Sequence, residues 1–398
     1  MNYRFIHFSG IYSLFEKRLF PDNLDVTEYT YQQLYDILIQ SRFGWSDYFT
    51  RYMKLLGNDA IGYCAGSEIL QKAWAREYGY TISNDNNWQT EIVLEQVRSF
   101  RPDVVFLEDL STFDIALRNR LRDVCTWPIT IIGWRAAPTD DFSAFHDLDL
   151  MLSAAPHFVD EFRRLGIKAE FLALAFEHSI LNEIQLPIER DLEFTFVGSL
   201  GAKNGVNSSR YIQIERLMQN TPLEVWAHTK ELRRRDESFM ARMKRWGKRQ
   251  LFSFTVDNSF IQDFDISIKE QYPKRVHPAM FGLDAFKILG RSKMTFNCHI
   301  DVAGEYAGNM RLYESTGMGA CLVTDLKKNL HELFDPDTEI VVYSTPDEAM
   351  EKVIYLLDHE TKRKEIAAAG QKRTLRDHTY QNRVEQFHQI ILRELRTK

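Results

Sequence analysis

Residues 297–325 read Asn-Cys-His-Ile-Asp-Val-Ala-Gly-Glu-Tyr-Ala-Gly-Asn-Met-Arg-Leu-Tyr-Glu-Ser-Thr-Gly-Met-Gly-Ala-Cys-Leu-Val-Thr-Asp. An apolar strand is predicted just before this stretch, over residues 293–300, and a loop with Gly304 and Gly308 follows it. A short helix and a second strand, at 320–324, complete the stretch. The order of strand, glycine loop, helix and strand is typical of one unit of a parallel α/β sheet.

The predicted helix runs from Asn309 to Gly317 and begins directly after a glycine. Glycine lets a ligand approach the backbone closely, and the free N–H groups of a first helical turn favour an anion such as phosphate. Arg311 and Glu314 lie three residues apart and therefore share one face of the helix. Arginine can bind a diphosphate with two hydrogen bonds, and a carboxylate can accept hydrogen bonds from the diol of a ribose. This helix therefore predicts a site for a nucleotide-sugar.

These residues belong to a longer ordered series. The stretch resembles the group 1 glycosyltransferases of GT-B fold, in the branch of the spore maturation glycosyltransferases. The resemblance implies that Glu314 holds the donor ribose. Family members often carry a second glutamate eight residues earlier, where this chain has Tyr306 with Glu305 beside it. The matching residues are Asn309, Arg311, Glu314, Gly317, Val323-Thr324-Asp325, Leu333-Phe334, Glu339-Ile340, Ile366-Ala367, Gly370-Gln371, His378-Thr379-Tyr380 and Arg383.

The length of 398 residues exceeds what one hydrophobic core usually serves, so two domains are expected. Strands and helices alternate in both halves, which predicts an α/β protein with parallel sheets. The resemblance implies the GT-B architecture, in which two Rossmann-like domains face each other across a cleft. We predict an amino-terminal acceptor domain at 1–176, a linker at 177–190, a carboxyl-terminal donor domain at 191–380, and a terminal helix at 381–398 that crosses back to the first domain.

The composition excludes several classes of protein. Hydrophobic residues make up 44% and charged residues 27% of the chain, as in ordinary globular proteins. No apolar run approaches the roughly 20 residues of a membrane span. The amino terminus reads as a strand rather than a signal peptide, and the four cysteines show no metal-binding or disulfide spacing, so a cytoplasmic location is expected. The net charge of −6 disfavours nucleic acid as a partner without excluding it.

One segment is basic, although the chain as a whole has a negative net charge. Residues 230–249 carry nine Lys or Arg against three Asp or Glu, and apolar residues recur there at helical spacing. Either this segment is a surface helix with a solvated basic face, or it contacts a phosphate-rich acceptor or a membrane surface.

The amino-terminal half places candidate acceptor residues after its strands. Gly10 follows the strand at 3–8, while Trp134 and Arg135 follow the strand at 129–133. Ligands bind outside the carboxyl ends of parallel strands, so these residues are expected at the acceptor site.

The loop between two early helices is a further acceptor candidate, because in GT-B enzymes loops after the first strands shape the acceptor pocket. Trp45 and Tyr48 are expected to stack on a sugar ring. Ser46 and Asp47 are candidates for acceptor contacts, and at least one of them is expected to cap the following helix.

An inverting transfer would need a general base near the acceptor. The possible bases are Glu108 and Asp109, which end the strand at 104–107, and also Asp47 and His7. Each has a structural alternative: Glu108 would solvate the strand end, and His7 would be a core histidine. The candidate catalytic residues are Glu108 and Asp47 as bases, and Arg311 as the group that stabilises the leaving diphosphate.

A second glycine-rich loop begins the donor domain. It follows the strand at 192–197 and resembles the donor diphosphate loop of GT-B enzymes; the alternative is a glycine turn with exposed charges. His299, directly after the strand that precedes the central helix, either reaches the donor or is a buried structural histidine. The predicted donor-binding residues are Gly198, Lys203, Arg210, His299, Gly308, Asn309, Arg311 and Glu314.

The sequence and the resemblance together predict a metal-independent glycosyltransferase. It would move a hexosyl group from a nucleotide diphosphate sugar to a polar acceptor (a saccharide, glycan, protein or small molecule), with retention of configuration. No metal site and no cofactor beyond this co-substrate are expected. Two alternatives stay open: a catalytically silent nucleotide-sugar-binding or assembly protein, and a nucleotide-sugar epimerase of the same fold.

Overall fold

The structure is a computed structural model that describes residues 2–137, 139, 141–185, 189–201, 207–227 and 266–396. The predicted donor residue Lys203 and the basic segment 230–249 lie outside the described residues.

The first domain is built on a parallel sheet that has six strands among the described residues, in the order β2-β1-β3-β4-β5-β6. The predicted apolar run at 104–107 forms β3, a central strand whose four residues are all buried. Helices cover both faces of the sheet, as a parallel sheet requires. The strands are β1 Arg4–Ser9, β2 Asp59–Cys64, β3 Val104–Leu107, β4 Thr130–Trp134, β5 Leu150–Ser153 and β6 Ala169–Phe171; the helices are α1 Ser13–Leu19, α2 Tyr31–Gln40, α3 Tyr48–Leu55, α4 Glu68–Glu77, α5 Trp88–Phe100, α6 Ile115–Val124 and α7 Pro156–Arg164.

The second domain repeats this plan. Its described part contains a second parallel sheet with the strand order β12-β11-β10-β7-β8-β9. The strands are β7 Leu192–Val197, β8 Leu223–Trp226, β9 Val276–His277, β10 Ser292–Asn297, β11 Cys321–Asp325 and β12 Val341–Tyr343; the helices from the connecting segment onward are α8 Ile180–Glu183, α9 Ser208–Asn220, α10 Ile266–Gln271, α11 Gly282–Arg291, α12 Arg311–Gly317, α13 Leu330–Leu333, α14 Pro346–Asp358, α15 Glu360–Asp377 and α16 Tyr380–Arg396. The two parallel α/β sheets confirm the predicted fold class.

Helix α12 is the central helix of the quoted stretch, and it begins two residues later than predicted. The N-cap residue is Met310, which makes no side-chain cap. Asn309 lies outside the helix because its side chain is bound to Asn297 at the end of β10: Asn309 Nδ2 donates to Asn297 Oδ1 at 2.7 Å. Asn297 Nδ2 in turn donates to Thr324 Oγ1 of β11 at 2.9 Å. The start of the helix is therefore fixed to two strand ends.

The chain passes between the domains twice, and the two crossings are hydrogen-bonded to each other. The N–H of Phe176 donates to the carbonyl of His378 at 2.8 Å, and the N–H of Tyr380 donates to the carbonyl of Phe176 at 3.0 Å. A Cβ on Gly317 would lie 2.3 Å from the Phe176 ring, so only glycine lets the end of α12 pack against this crossing.

After the second crossing, α16 packs against the first sheet. The ring of Phe387 contacts the rings of Phe5, Phe49 and Phe106, with centroid distances of 6.0, 5.8 and 4.9 Å. The last described helix therefore completes the core of the first domain.

Candidate functional site

Arg311 and Glu314 lie on the first turns of α12, as the spacing predicts. Arg311 Nη1 lies 2.7 Å from Glu314 Oε2, and the two side chains are 19% and 13% exposed. A guanidinium has five N–H donors and a carboxylate accepts about four hydrogen bonds, so this ion pair leaves capacity on both groups for a ligand.

The first turn of α12 is not capped by a described side chain. Tyr313 and Glu314 donate their N–H groups to the carbonyl of Met310, but no described group accepts a hydrogen bond from the N–H of Arg311 or Leu312. Positive electrostatic potential from these groups adds to the charge of the Arg311 side chain.

The loop before α12 is held in place by residues that follow β11. Asn329 makes two hydrogen bonds with the main chain of Ala307, at 2.7 and 2.9 Å. Glu305 is exposed and pairs with Lys328 at 2.6 Å. Tyr306, at the position where family members often carry glutamate, stacks on His157 of the first domain with 5.4 Å between the centroids.

Gly308 brings this loop against the first domain. A Cβ on Gly308 would lie 2.6 Å from the carbonyl oxygen of Ala154, the residue after β5. The carboxyl end of the first sheet therefore faces the start of α12, which is where ligands bind in open α/β sheets.

His299 follows β10 and is paired with the last residue of β11. Its Nδ1 lies 2.7 Å from Asp325 Oδ1, which also accepts the main-chain N–H of His299 at 3.1 Å. Burial alone would raise the pKa of Asp325, but the bonds and charge of His299 and the charge of Lys327 outweigh it and lower this pKa to about 2. His299 Nε2 is buried and has no hydrogen-bond partner among the residues that the structure describes.

Arg210 does not offer its charge to a ligand in the way predicted. Its side chain is buried, and its two terminal nitrogens donate to the main-chain oxygens of Ser199 and Cys298. Burial lowers the pKa of Arg210. The guanidinium thus ties the loop after β7, which begins at Gly198, to the end of β10.

At the carboxyl end of the first sheet, Glu108 follows β3 with a side chain that is 23% exposed. Its Oε2 lies 3.3 Å from Nε2 of the buried His7. Burial raises the pKa of Glu108, His7 lowers it, and the charge of Asp109 raises it further. Asp109 accepts hydrogen bonds from the hydroxyl groups of Ser111 and Thr112. These bonds hold its carboxylate in a turn that lies beside Gly10.

Neither Ser46 nor Asp47 caps α3 with its side chain, so that prediction is wrong. Asp47 is the N-cap residue without a side-chain bond, and its carboxylate lies 3.4 Å from Arg42 Nη1. Ser46 has a positive φ of 46° and donates its hydroxyl to the carbonyl of Ile39. The strained turn directs both side chains away from the free N–H groups of the helix.

The expected aromatic platform is buried. Trp45 is 5% and Tyr48 1% exposed, which leaves neither ring a face for a sugar. Trp45 contacts the edge of Trp134 at 4.8 Å, and Tyr48 packs against Tyr380 at 4.6 Å.

Arg135 lies beside these rings, with Nε donating to the carbonyl of Ala137 and the guanidinium 5.7 Å from the Phe145 ring. The prediction overlooked Tyr12, a residue that is 70% exposed two positions beyond Gly10. The feature of the sequence that could have identified Tyr12 was its position just after the first predicted strand.

In the part of the chain that the structure describes, no three His, Cys, Asp or Glu side chains are placed to share a metal ion. No described helix combines the length and the apolar character needed to cross a membrane.

Residues 230–389 match a family model described as glycosyl transferase-like, and no curated protein matches the chain. A glycosyltransferase from Rickettsia africae is similar over 100% of both chains, with 9% identity and a TM-score of 0.57.

Two further solved structures are similar over nearly the whole chain. A sucrose-phosphate synthase from Thermosynechococcus elongatus has 9% identity over 99% of this chain and 100% of its own, with a TM-score of 0.58. HepE of Anabaena, solved in complex with UDP-glucose, has 9% identity over 98% of this chain and 99% of its own, with a TM-score of 0.56. At these identities the likeness shows a shared fold.

Proposed function

We propose that this chain, which has the GT-B fold and over residues 230–389 belongs to the glycosyl transferase-like family, moves a hexosyl group from a nucleotide diphosphate sugar to a polar acceptor. The family expected from the sequence is therefore the right one, while the spore maturation branch remains a prediction. The proposed setting is the cytoplasm, with the nucleotide-sugar as co-substrate.

One observation carries the proposal: the Arg311–Glu314 pair stands on the first turns of α12, beside the loop that meets the first domain at Gly308. Arg311 would bind the diphosphate, Glu314 would accept hydrogen bonds from the ribose, and the unpaired N–H groups of the first turn would add to the binding of the anion. HepE, a protein of similar fold, was solved with UDP-glucose.

The same arrangement explains how transfer would be accelerated. Negative charge gathers on the diphosphate as the bond to the anomeric carbon breaks, so fixed hydrogen-bond donors lower the barrier. Removing one such donor typically costs about 2.7–4 kcal/mol of barrier. Arg311 and the first turn of α12 would provide this stabilisation without a metal ion.

We propose retention of configuration by a single displacement, because that route needs no protein nucleophile. In it, Glu108 or Asp47 would orient the acceptor hydroxyl. Proton NMR of the first product formed reports the anomeric configuration, and an inverted product would instead assign one of these carboxylates as the general base.

The proposal is tested by calorimetric titration of the full chain with UDP, GDP and ADP, followed by the corresponding nucleotide-sugars. We expect micromolar binding of one nucleoside diphosphate, and a loss of at least about tenfold in affinity in Glu314→Ala, or about 1.4 kcal/mol. Glu95→Ala is the matched control, since Glu95 pairs with Arg98 at the same helical spacing on α5.

Unchanged nucleotide affinity in Glu314→Ala, or an equal loss in Glu95→Ala, would remove Glu314 from the site. Tight nucleotide-sugar binding with no transfer to any acceptor would favour the alternative of a catalytically silent binding protein.

A further inference from the structure

Tyr12 lies three residues beyond β1, at the carboxyl end of the first sheet, and it is 70% exposed. Burial raises the pKa of Tyr12, and the charges of Glu108 and Asp109 raise it further. The side chain is therefore open to a ligand at the edge of the sheet where ligands bind in open α/β folds, within electrostatic reach of two carboxylates.

The ring of Tyr12 rests on a rigid base. It meets the ring of Phe43 edge-on at 5.6 Å, and Phe43 packs against Phe15 at 4.1 Å and against Phe281 of the second domain at 5.6 Å. Because these neighbours hold the Tyr12 ring in place, the side chain would lose little conformational freedom when a ligand stacks on its exposed face.

Glu108 follows β3, the strand next to β1 in the first sheet. β1 and β3 pair in parallel with Phe8 opposite Leu107, so the residues after both strands emerge together. The approach of Gly10 to Asp109 shows how close they are, because a Cβ on Gly10 would lie 3.1 Å from Asp109 Oδ2.

Behind Glu108 lies His7, which is 2% exposed and stacked on Phe106 at 5.1 Å. Its Nε2 lies 3.3 Å from Glu108 Oε2, and neither atom has a well-aligned hydrogen bond to any described residue. A buried imidazole that is held by an aromatic ring and directed at a partly exposed carboxylate limits where that carboxylate can turn.

We propose that Tyr12 and Glu108 form a subsite for a saccharide acceptor, in which the Tyr12 ring stacks on the face of a pyranose and the Glu108 carboxylate accepts a hydrogen bond from one of its hydroxyl groups. An aromatic face beside a few placed polar groups suits the alternating C–H and O–H surfaces of a sugar. His7 is a positioning residue for Glu108. This inference rests on the proposed function and narrows its acceptor to a sugar.

The experiment uses the full chain saturated with the nucleoside diphosphate that binds it best, applied to a glycan microarray. The best glycan is then titrated by ligand-observed NMR against the wild type and the variants Tyr12→Ala, Tyr12→Phe and Glu108→Gln. Tyr78→Ala is the matched control, because Tyr78 is a tyrosine of similar exposure (63%) stacked on Trp74 of α4.

We expect Tyr12→Ala and Glu108→Gln each to weaken glycan binding about tenfold or more. Tyr12→Phe, which keeps the ring, and Tyr78→Ala should bind like the wild type. All variants should keep the wild-type nucleotide affinity and melting temperature.

Wild-type glycan affinity in Tyr12→Ala would overturn the proposal. So would a wild-type protein that binds the nucleoside diphosphate and no glycan. Absence of nucleotide binding would instead contradict the proposed function, which keeps the two failures apart.

Discussion

His378 lies at the crossing between the domains, where its main chain contacts the first domain and its ring packs within the second. Its carbonyl accepts the N–H of Phe176 at the crossing, and its Nε2 donates to the carbonyl of Leu333 at 2.8 Å. The ring lies between Tyr313 and Phe334, with centroid distances of 5.2 and 5.1 Å. Burial lowers the pKa of His378 from 6.5 to about 4, and the nearby arginines add to the effect against the opposing bond to Leu333.

This shift predicts that the folded protein loses stability in acid. Below pH 6.5 the unfolded chain binds a proton on this histidine, whereas the folded protein binds it only near pH 4, so acid favours unfolding across that window. The loss should reach roughly 2–3 kcal/mol. In His378→Gln the amide can still donate to Leu333 but cannot titrate, so its free energy of unfolding, measured by urea denaturation, should fall less between pH 6.5 and 4 than that of the wild type.

His331→Gln is the control for this measurement, since His331 is exposed on α13. Parallel pH profiles for the wild type and His378→Gln would contradict the assignment of acid sensitivity to His378.

Helix α16 comes from the end of the sequence but packs into the core of the first domain. Its buried residues include Val384, Phe387 and Ile391, spaced to form one face, while Gln389 is exposed. This face covers the side of the first sheet that also carries α3, and it is the reason that Tyr48 is buried.

Phe387→Ala should therefore destabilise the first domain, whose first strand lies almost the whole chain length away in sequence. Removing a buried phenylalanine typically costs about 3–5 kcal/mol. The free energy of unfolding from guanidinium titration checks this, with Gln389→Ala as a control on the exposed face of the same helix. A change below about 1 kcal/mol would mean that α16 adds little to the core.

At the scale of the whole molecule, the domains also meet at α11. The N–H of Leu283 donates to the carbonyl of Ser41 at 2.9 Å, and Arg42 binds Glu183 through both Nε and Nη2. Gly282 makes the approach possible: its φ is +52°, and a Cβ there would lie 1.9 Å from the Ser41 oxygen.

Gly282→Ala should force this contact apart. Gly79→Ala is the control, because Gly79 has a similar φ of +68° but nothing within 4 Å of its Cβ position. Both variants carry the cost of a left-handed alanine, about 1–2 kcal/mol, but only Gly282→Ala should increase the radius of gyration in small-angle X-ray scattering. Equal radii in both variants would show that the domains do not depend on this contact.

Many local features of both domains follow from the sequence. Helical spacing alone puts Arg311 and Glu314 on one face of α12. The residues at 345–348 also contain a local cap of α14, in which the Thr345 hydroxyl accepts the N–H of Glu348 at 3.2 Å. The run at 104–107 likewise predicts a buried parallel strand because no polar residue interrupts it. Periodicity and capping act over a few residues, so the sequence contains them directly.

Exposure and the direction of a side chain were decided only by the tertiary structure. Trp45 and Tyr48 resemble sugar-stacking residues until Trp134 and α16 cover them, and Arg210 resembles a phosphate ligand until its nitrogens reach the main chain of Ser199 and Cys298. Tyr12 remains 70% exposed although the edge-on contact with Phe43 holds its ring on one side. Local sequence determines which residues form a strand end or a helix face, whereas distant elements determine which of those residues a ligand can still reach.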